Sequence, residues 1–386
     1  MIAHGKHELQ QLQSLPLDYK IELTKRRIEV WYRSWTKFEI FNEATGKTRF
    51  STIDTRDFLA KPKLKPSESI ISEQDGQVYV ALSGGKDSTV LKHLVDSMYS
   101  DVPAVFVNTG LEYPEIQKFV RDIKAGKYEC FNSDVEIIRP EMRFDEVLKN
   151  LGYPIVSKRV SEYVETARRN PDSMRAKYLR GEEWTKFVAG GKWSYLTSAP
   201  FKSSAKCCAV MKKKPMALYR RKTLRKPIIG TLASESNNRE LSWQLHGCNA
   251  FDAKNPTSQP LSFWTEQDIL HYIKKYNVPY APVYGDIRIK QAESTDQMNI
   301  IDVLGEYEPT DVLETSGCNR TGCIFCMFGC HLEKEPNRFQ RLKETHPRQW
   351  EYCIKGGEFN EDGKWQPNKE GLGIGYVLDY IGVDYE

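Results

Sequence analysis

The sequence predicts an α/β fold, a parallel sheet with flanking helices, carrying an N-terminal extension and a cysteine-rich C-terminal region. Two observations predict the core. Strand and helix patterns alternate from Val78 to Leu151, and a Gly-Gly pair joins the first strand to the first helix in Ser83-Gly84-Gly85-Lys86-Asp87-Ser88. A third sets the C-terminal region apart: Cys318, Cys323, Cys326 and Cys330 crowd a stretch with little periodicity. The expected organisation is an extension over 1–70, an α/β domain over 71–290 and the cysteine-rich region over 291–386.

The elements follow in order. Asp18–Lys37 has a helical pattern, Asn42–Thr55 has the alternation of a hairpin, and Lys61–Ser69, with two prolines, reads as a linker. Val78–Leu82 is a β-branched apolar run, expected as a buried strand. Ser88–Tyr99 spaces Val90, Leu91, Leu94, Val95 and Met98 as a helix face. Pro103–Asn108 and Val135–Arg139 are further strands. Tyr113–Lys127 and Phe144–Leu151 are further helices. Residues 155–200 are charged and helical in pattern. Pro227–Thr231 is another core strand. Trp264–Tyr276 is a helix capped by Thr265, with Asp268 three residues on, a capping box with Asp for Glu. Past Gly285 the pattern is irregular, closing with helical pieces near Pro336–Lys343 and Leu372–Tyr380. There is no internal repeat.

The chain has 386 residues and a formal net charge of +4, too small to diagnose a nucleic-acid binder. No apolar run approaches the ~18–20 residues of a membrane-spanning helix, and the polar N-terminus lacks a signal-peptide core. A cytoplasmic protein is expected. The chain has nine cysteines, and in a reducing compartment those that cluster point to metal or redox chemistry rather than disulfides. Six of them cluster; Cys130, Cys248 and Cys353 are isolated and read as structural.

The loop between strand and helix suits an anion. Glycines let the backbone approach a phosphate and take positive φ. The helix N-terminus then presents N–H groups to it. Ser83, Ser88 and Thr89 add hydroxyls, Lys86 adds a charge for a leaving pyrophosphate, and Asp87 is a ligand for Mg²⁺. The plain alternative is a Gly-Gly turn with solvated Lys and Asp. The pattern is not the Walker loop. From spacing alone, Cys318-x4-Cys323-x2-Cys326-x3-Cys330 holds enough ligands for a zinc site. Lys206 through Lys226 holds nine Lys or Arg and no acid. It reads as a groove wall for phosphates or nucleic acid, or as a solvated helix face.

Ser83–Ser88 resembles the PP-loop of the N-type ATP pyrophosphatases, within the adenine nucleotide alpha-hydrolase fold. Several further segments resemble the phosphoadenosine phosphosulfate (PAPS) reductase family. They are Asn108-Thr109-Gly110 with Glu112 and Pro114; Lys206-Cys207-Cys208 with Lys213, Lys214 and Pro215; and Pro260-Leu261 with Trp264, Asp268, Ile269, Val278-Pro279-Tyr280 and Val283-Tyr284. Asn108 stands where the family has Asp. Arg239, after Ser234-Glu235-Ser236, resembles the family's arginine near the nucleotide. Ser157, Lys158 and Arg159 are placed on the substrate side or at a helix start.

The resemblance implies roles. Lys86, Asp87 and Ser88 are catalytic. Ser83, Gly84, Gly85, Asn108, Thr109, Gly110 and Arg239 bind the nucleotide with them. Cys207, Cys208, Cys323 and Cys326 ligate a [4Fe–4S] cluster, with Cys318 and Cys330 as alternates and Zn²⁺ as the alternative metal. Three activities compete. PAPS reductases carry a nucleophilic cysteine in a C-terminal tail, whereas this sequence has none after Cys353. The ATP-using branches carry the lysine at position 86. They resemble the ATP pyrophosphatases of DNA phosphorothioation and tRNA thiolation, which adenylate a substrate for sulfur insertion and take sulfur from a cysteine desulfurase. A non-catalytic nucleotide sensor is the third reading. The resemblance favours ATP, Mg²⁺, a desulfurase partner and a DNA or tRNA acceptor, and leaves the oligomeric state open.

Overall fold

The computed structural model describes residues 4–57, 60–182, 191–290 and 311–386. The chain divides into two compact units of interleaved segments: Met1–Val107, Tyr113–Ile138 and Ala217–Thr321 form one, and Asn108–Glu112, Arg139–Met216 and Gly322–Glu386 the other.

In the first unit α1 (Lys6–Gln13) and α2 (Leu17–Arg33) lead into β1 (Trp35–Asn42). The helix expected to run to Lys37 stops at Arg33, because Trp35–Asn42 pairs antiparallel with both β2 (Lys47–Asp54) and β3 (Glu68–Gln74). Ladder bonds on both edges outweigh a weak helical preference in this aromatic and β-branched run. A hairpin is present, but its first strand is Trp35–Asn42, ahead of the expected Asn42–Thr55; its turn needs Gly46 at φ +62°.

The main sheet has six strands among the described residues. β4 (Val78–Leu82), α3 (Lys86–Asp96), β5 (Ala104–Val107), α4 (Pro114–Lys124) and β6 (Val135–Ile138) alternate as the pattern predicts. The chain then runs through α5 (Phe144–Asn150), α6 (Lys158–Arg169), α7 (Met174–Arg180) and α8 (Lys214–Thr223) before β7 (Lys226–Ile229) returns beside β4. α9 (Asn237–His246), β8 (Asn249–Ala250), β9 (Thr257–Ser258) and α10 (Glu266–Tyr276) complete the unit. All pairings are parallel except β8 with β9. The sheet mostly carries helices on its faces, so β4 is apolar along its length: Val78, Tyr79, Val80 and Leu82 are buried. Val90, Leu91 and Leu94 of α3 and Ile116, Phe119, Val120 and Ile123 of α4 join them in one core.

β5 and β6 lie on one side of β4 and β7 on the other. The order therefore reverses at the carboxyl ends of β4 and β7. In open parallel sheets this is where ligands bind.

α10 begins as its pattern predicts. Thr265 accepts from the Asp268 N–H at 3.2 Å, and the Asp268 carboxylate accepts from the Thr265 N–H at 2.7 Å. The same carboxylate meets the buried ammonium of Lys20 at 2.7 Å, which ties α2 to α10. Past Gly285, Ile287–Ile289 pairs with Leu313–Thr315, and the intervening 291–310 lie outside the described residues.

The second unit is mostly helical. It holds Phe144–Asn150, Lys158–Arg169, Met174–Arg180, Arg338–Thr345, Pro347–Ile354 and Ile374–Ile381. The guanidinium of Arg168 donates to four carbonyls, Leu196, Thr197, Ala199 and Phe201, and so fixes the end of the 3-10 turn Ser194–Ser198 and the extended residues after it. Residues 183–190, inside the segment expected as helical, lie outside the described residues. Among the described residues no helix is long and apolar enough to cross a membrane.

Removing one partner of a buried ion pair strands the other. Lys20→Ala should therefore destabilise the protein by about 3 kcal/mol, and Lys20→Ala with Asp268→Asn should lose less than the single change. Thermal unfolding of the three proteins checks this; equal losses in single and double variants would contradict it.

Candidate functional site

The site in the first unit forms where β4 runs out. Gly84 has φ +74°, and a Cβ there would lie 2.7 Å from Ile116 Cγ2, so conformation and space both demand glycine. Gly85 precedes α3 as its N-cap residue, and Lys86 is the first residue of that helix. The loop is braced from within. Ser83 Oγ and Ser88 Oγ are 2.9 Å apart, Ser88 Oγ accepts from the Ser83 N–H, and the Ser88 and Thr89 hydroxyls each reach the Gly85 carbonyl. The Gly85 N–H donates to Ser83 Oγ at 3.3 Å.

The Lys86 side chain is only 7% exposed. Its ammonium donates to the Asn319 carbonyl at 3.0 Å and pairs with Glu266 at 2.9 Å. Its backbone N–H donates to the Tyr284 hydroxyl at 3.1 Å, and that hydroxyl lies 2.6 Å from Thr321 Oγ1. Burial pushes the Tyr284 phenol up to about 12, so it stays protonated.

Asp87 is the unfinished group. Its Oδ1 is buried and has no hydrogen-bond partner; the Lys86 ammonium stands 3.9 Å away. Burial raises the Asp87 carboxyl above its ordinary range, offset in part by Lys86, Arg320 and Arg239 and reinforced by Glu266. Its backbone is tightly held, since a Cβ on Gly230, just after β7, would meet the Asp87 carbonyl at 2.8 Å. A buried carboxylate oxygen without a donor fits a divalent cation such as Mg²⁺. Arg239 pairs with Glu235, which also pairs with Arg320. The lysine, the aspartate and Arg239 anticipated from sequence thus gather here. Glu235, Glu266, Asn319, Arg320 and Thr321 join them without having been anticipated as site residues.

The second unit gathers the thiols. Cys207 and Cys208 precede a single π-helical turn, Ala209–Lys213, a form of helix frequent at functional sites. Burial raises the Cys207 thiol to about 12, reinforced by Cys208, Cys323 and Cys326, so these four groups act on one another. Burial likewise raises Cys323 to about 11 and lifts Cys326. Burial disfavours the charge on Lys212, but Cys323, Glu112 and Cys208 hold its ammonium above its usual range. Among the described residues no group of three or more His, Cys, Asp or Glu is arranged to hold a metal ion. In donor chemistry the four thiols fit an iron–sulfur cluster.

The alternates lie differently. Cys318 belongs to the first unit, and its sulfur donates to the Arg320 carbonyl at 2.8 Å. Cys330 is in the second unit, buried, and donates to the Met327 carbonyl at 3.0 Å. Asn108, Thr109 and Gly110 fall in the second unit. There the Thr109 hydroxyl donates to Glu112 at 2.6 Å, Asn108 Oδ1 accepts from the Gly110 N–H, and Leu111 accepts from the Ile324 N–H at 2.8 Å. That turn is thus tied to the cysteine segment. Ser157 caps the helix Lys158–Arg169, accepting from the Val160 N–H at 3.1 Å, which is the helix-start reading. The basic run does not present all nine charges. Lys206 pairs with Glu165, Lys214 with Glu141, Arg225 donates to the Val78 carbonyl, and Lys226 lies over the Trp35 ring.

Comparison with known proteins matches the chain to the phosphoadenosine phosphosulfate reductase domain over residues 77–168 and 180–327. The chain belongs to the phosphoadenosine phosphosulfate reductase family. Members of this family are enzymes, and membership carries a nucleotide-binding or sulfonucleotide-related function. An uncharacterized protein of Methanocaldococcus jannaschii is 22% identical over 279 residues, 71% of this chain. The chain spans 40% of the length of that relative. A crystal structure of phosphoadenylyl-sulfate reductase from Candida auris, a phosphate complex, matches at 14% identity and a TM-score of 0.30, covering 53% of this chain and 75% of its own.

A carboxyl whose folded pKa is raised destabilises the fold once pH exceeds the ordinary value of 3.8, and the full penalty applies above the folded pKa. Asp87→Asn should therefore raise the melting temperature of ligand-free protein at neutral pH, with the gain shrinking as pH falls toward 4. An unchanged or lowered melting temperature at pH 7 would contradict the assignment. Gly230→Ala should cost about 1–3 kcal/mol, because the new methyl meets backbone rather than a movable side chain. Calorimetric unfolding measures that cost.

Proposed function

We propose that this chain is an ATP pyrophosphatase that adenylates an acceptor for sulfur insertion. An acceptor oxygen attacks the α-phosphorus of ATP, the bond to the β-phosphate oxygen breaks, and pyrophosphate leaves. Sulfide-level sulfur, freed from the donor's persulfide as a thiol reductant supplies two electrons and the S–S bond breaks, then bonds to the activated atom, and the oxygen departs with AMP. The logic is that of a poor leaving group converted into a good one. The observation that carries this reading is the pair at the start of α3: a buried Lys86 ammonium beside an unpartnered, buried Asp87 oxygen. A polyphosphate bound with Mg²⁺ supplies the anion for one and the cation for the other.

Lys86 would neutralise the charge growing on pyrophosphate, and the Ser83 and Ser88 hydroxyls would donate to phosphate oxygens. Asp87 would hold Mg²⁺, which draws charge from the phosphates. Arg239 would face the nucleotide, and Asn108–Gly110 are assigned to it by the family pattern. Cys207, Cys208, Cys323 and Cys326 would hold a [4Fe–4S] cluster, whose chemistry is to bind or pass sulfur. Their common membership of one unit favours this set over one that needs Cys318. The exposed basic residues Lys213, Arg221 and Lys222 suit a nucleic-acid acceptor, DNA or tRNA, and a cysteine desulfurase is the proposed sulfur donor.

The test is product analysis of purified protein with ATP and Mg²⁺. AMP and pyrophosphate are expected, with Lys86→Ala and Asp87→Ala reducing turnover by at least about 100-fold. Sulfite from PAPS and thioredoxin, with no pyrophosphate from ATP, would overturn the reading. Anaerobically purified protein should carry iron and sulfide. Cys323→Ala should lose both, while Cys318→Ala should keep them; a colourless zinc protein would reverse the metal assignment.

A further inference from the structure

Arg320 lies in a turn attached to the phosphate loop on both sides of it. The preceding residue, Asn319, accepts from the Lys86 ammonium at 3.0 Å. The following residue, Thr321, lies 2.6 Å from the Tyr284 hydroxyl that takes the Lys86 N–H. A Cβ on Gly85 would sit 3.3 Å from both Thr321 Oγ1 and that hydroxyl. The backbone of Arg320 is therefore held against the loop at two points.

Its side chain is held at a third. Glu235 pairs with Arg320 and with Arg239, and its carboxylate also accepts from the Leu232 N–H at 3.1 Å. That backbone bond fixes the carboxylate, which in turn fixes two guanidiniums. Two like charges on one carboxylate leave positive charge over. Burial lowers the Arg239 pKa first, and Arg320 lowers it further, the mark of two cations forced together. Glu235 is 15% exposed whereas Arg320 is 63% exposed, so the arginine keeps donors toward solvent while its anchor does not move. A guanidinium can give one edge to a carboxylate and another to a phosphate, which an ammonium cannot do in fixed geometry.

We propose that Arg320, paired with Arg239 through Glu235, is a phosphate-binding residue of the Lys86 site and takes the pyrophosphate end of the nucleotide. The proposal rests on the nucleotide reading above but reaches beyond it. It names a residue outside the loop, and a specificity for polyphosphate over a nucleoside monophosphate. Glu235 is a positioning residue, since it touches the arginines and not the ligand.

The experiment is titration calorimetry of the full chain with Mg²⁺ and, separately, inorganic pyrophosphate, ATP and AMP. Arg320→Ala should weaken pyrophosphate and ATP by about tenfold or more, the worth of a charge-assisted hydrogen bond, and leave AMP unchanged. Arg320→Lys, which keeps the charge and loses the fork, should lie between. Should Arg320→Ala lower the melting temperature, Arg320→Lys decides the matter on its own: wild-type pyrophosphate affinity in it overturns the proposal. Affinity within twofold of wild type in a well-folded Arg320→Ala overturns it also, as would an equal loss for AMP. ATP cleavage that is indifferent to Arg320 leaves the pyrophosphatase reading standing and removes this one. Pyrophosphate binding that needs Arg320, in a protein that never cleaves ATP, does the reverse.

Discussion

The chemistry of the first unit depends on how β4 ends. This strand lies inside the sheet and must deliver the chain to a helix within a few residues. Gly84 makes the turn possible by taking a conformation that places α4 where a side chain would stand. The turn puts Lys86 at the first position of α3, and there the helix dipole is unfavourable to a cation. Burial adds to the cost. A lysine so placed requires anions, and in this structure Glu266 and the Asn319 carbonyl serve. The neighbouring Asp87 has the opposite deficit, a buried oxygen with nothing to accept from. Lys86 is matched by an exposed carboxylate and a carbonyl, and the buried Asp87 oxygen has no donor. The magnesium polyphosphate proposed for this site would answer both at once.

The second unit poses a related problem with sulfur. Buried thiols are stable when neutral, and burial raises Cys207, Cys323 and Cys326. Turning them into thiolates requires nearby positive charge. Lys212 supplies one such charge to Cys323. A single ammonium cannot balance four thiolates, but a metal cluster deprotonates its own ligands as it binds. The π-helical turn after Cys208 has a local consequence, since an extra residue in a turn shifts the side chains that follow it.

What could be read in the sequence was mostly local. β4 emerged from five consecutive residues, α3 from apolar spacing, and the α10 cap from Thr265 and Asp268. The resemblance covered the loop, the Asn108–Gly110 segment, the cysteine pair, Arg239 and the Pro260–Tyr284 segment. Interactions between distant segments left no local trace. Asp268 was legible as a helix cap but not as the partner of Lys20, 248 residues away. Glu235 and Arg320 are 85 residues apart, and nothing near either one points to the other. The α2 helix was overextended because the ladder bonds that convert Trp35–Asn42 to strand come from β2 and β3. The basic run looked uniform for the same reason. Its charge count was visible, but the acids, carbonyls and ring that engage Lys206, Lys214, Arg225 and Lys226 lie elsewhere in the chain.

The two carboxylates of the first site are not equivalent, and the difference bears on how a ligand would enter. Glu266 is 55% exposed at the first position of α10, a place where a negative charge is favoured even without Lys86. Releasing it to water is inexpensive, so a phosphate can take its place on the ammonium. Glu235 is largely enclosed and bonded to backbone as well as to two guanidiniums. Displacing it would leave a carboxylate half-desolvated and two arginines in mutual repulsion. An incoming anion should therefore exchange with Glu266 and add to the Glu235 group. The site would then gain charge neutralisation at Lys86 without losing the scaffold that holds Arg239 and Arg320. In the proposed pyrophosphatase, that division would suit a pocket that binds ATP and then releases pyrophosphate. The displaced acid remains beside the lysine, ready to return when the product leaves.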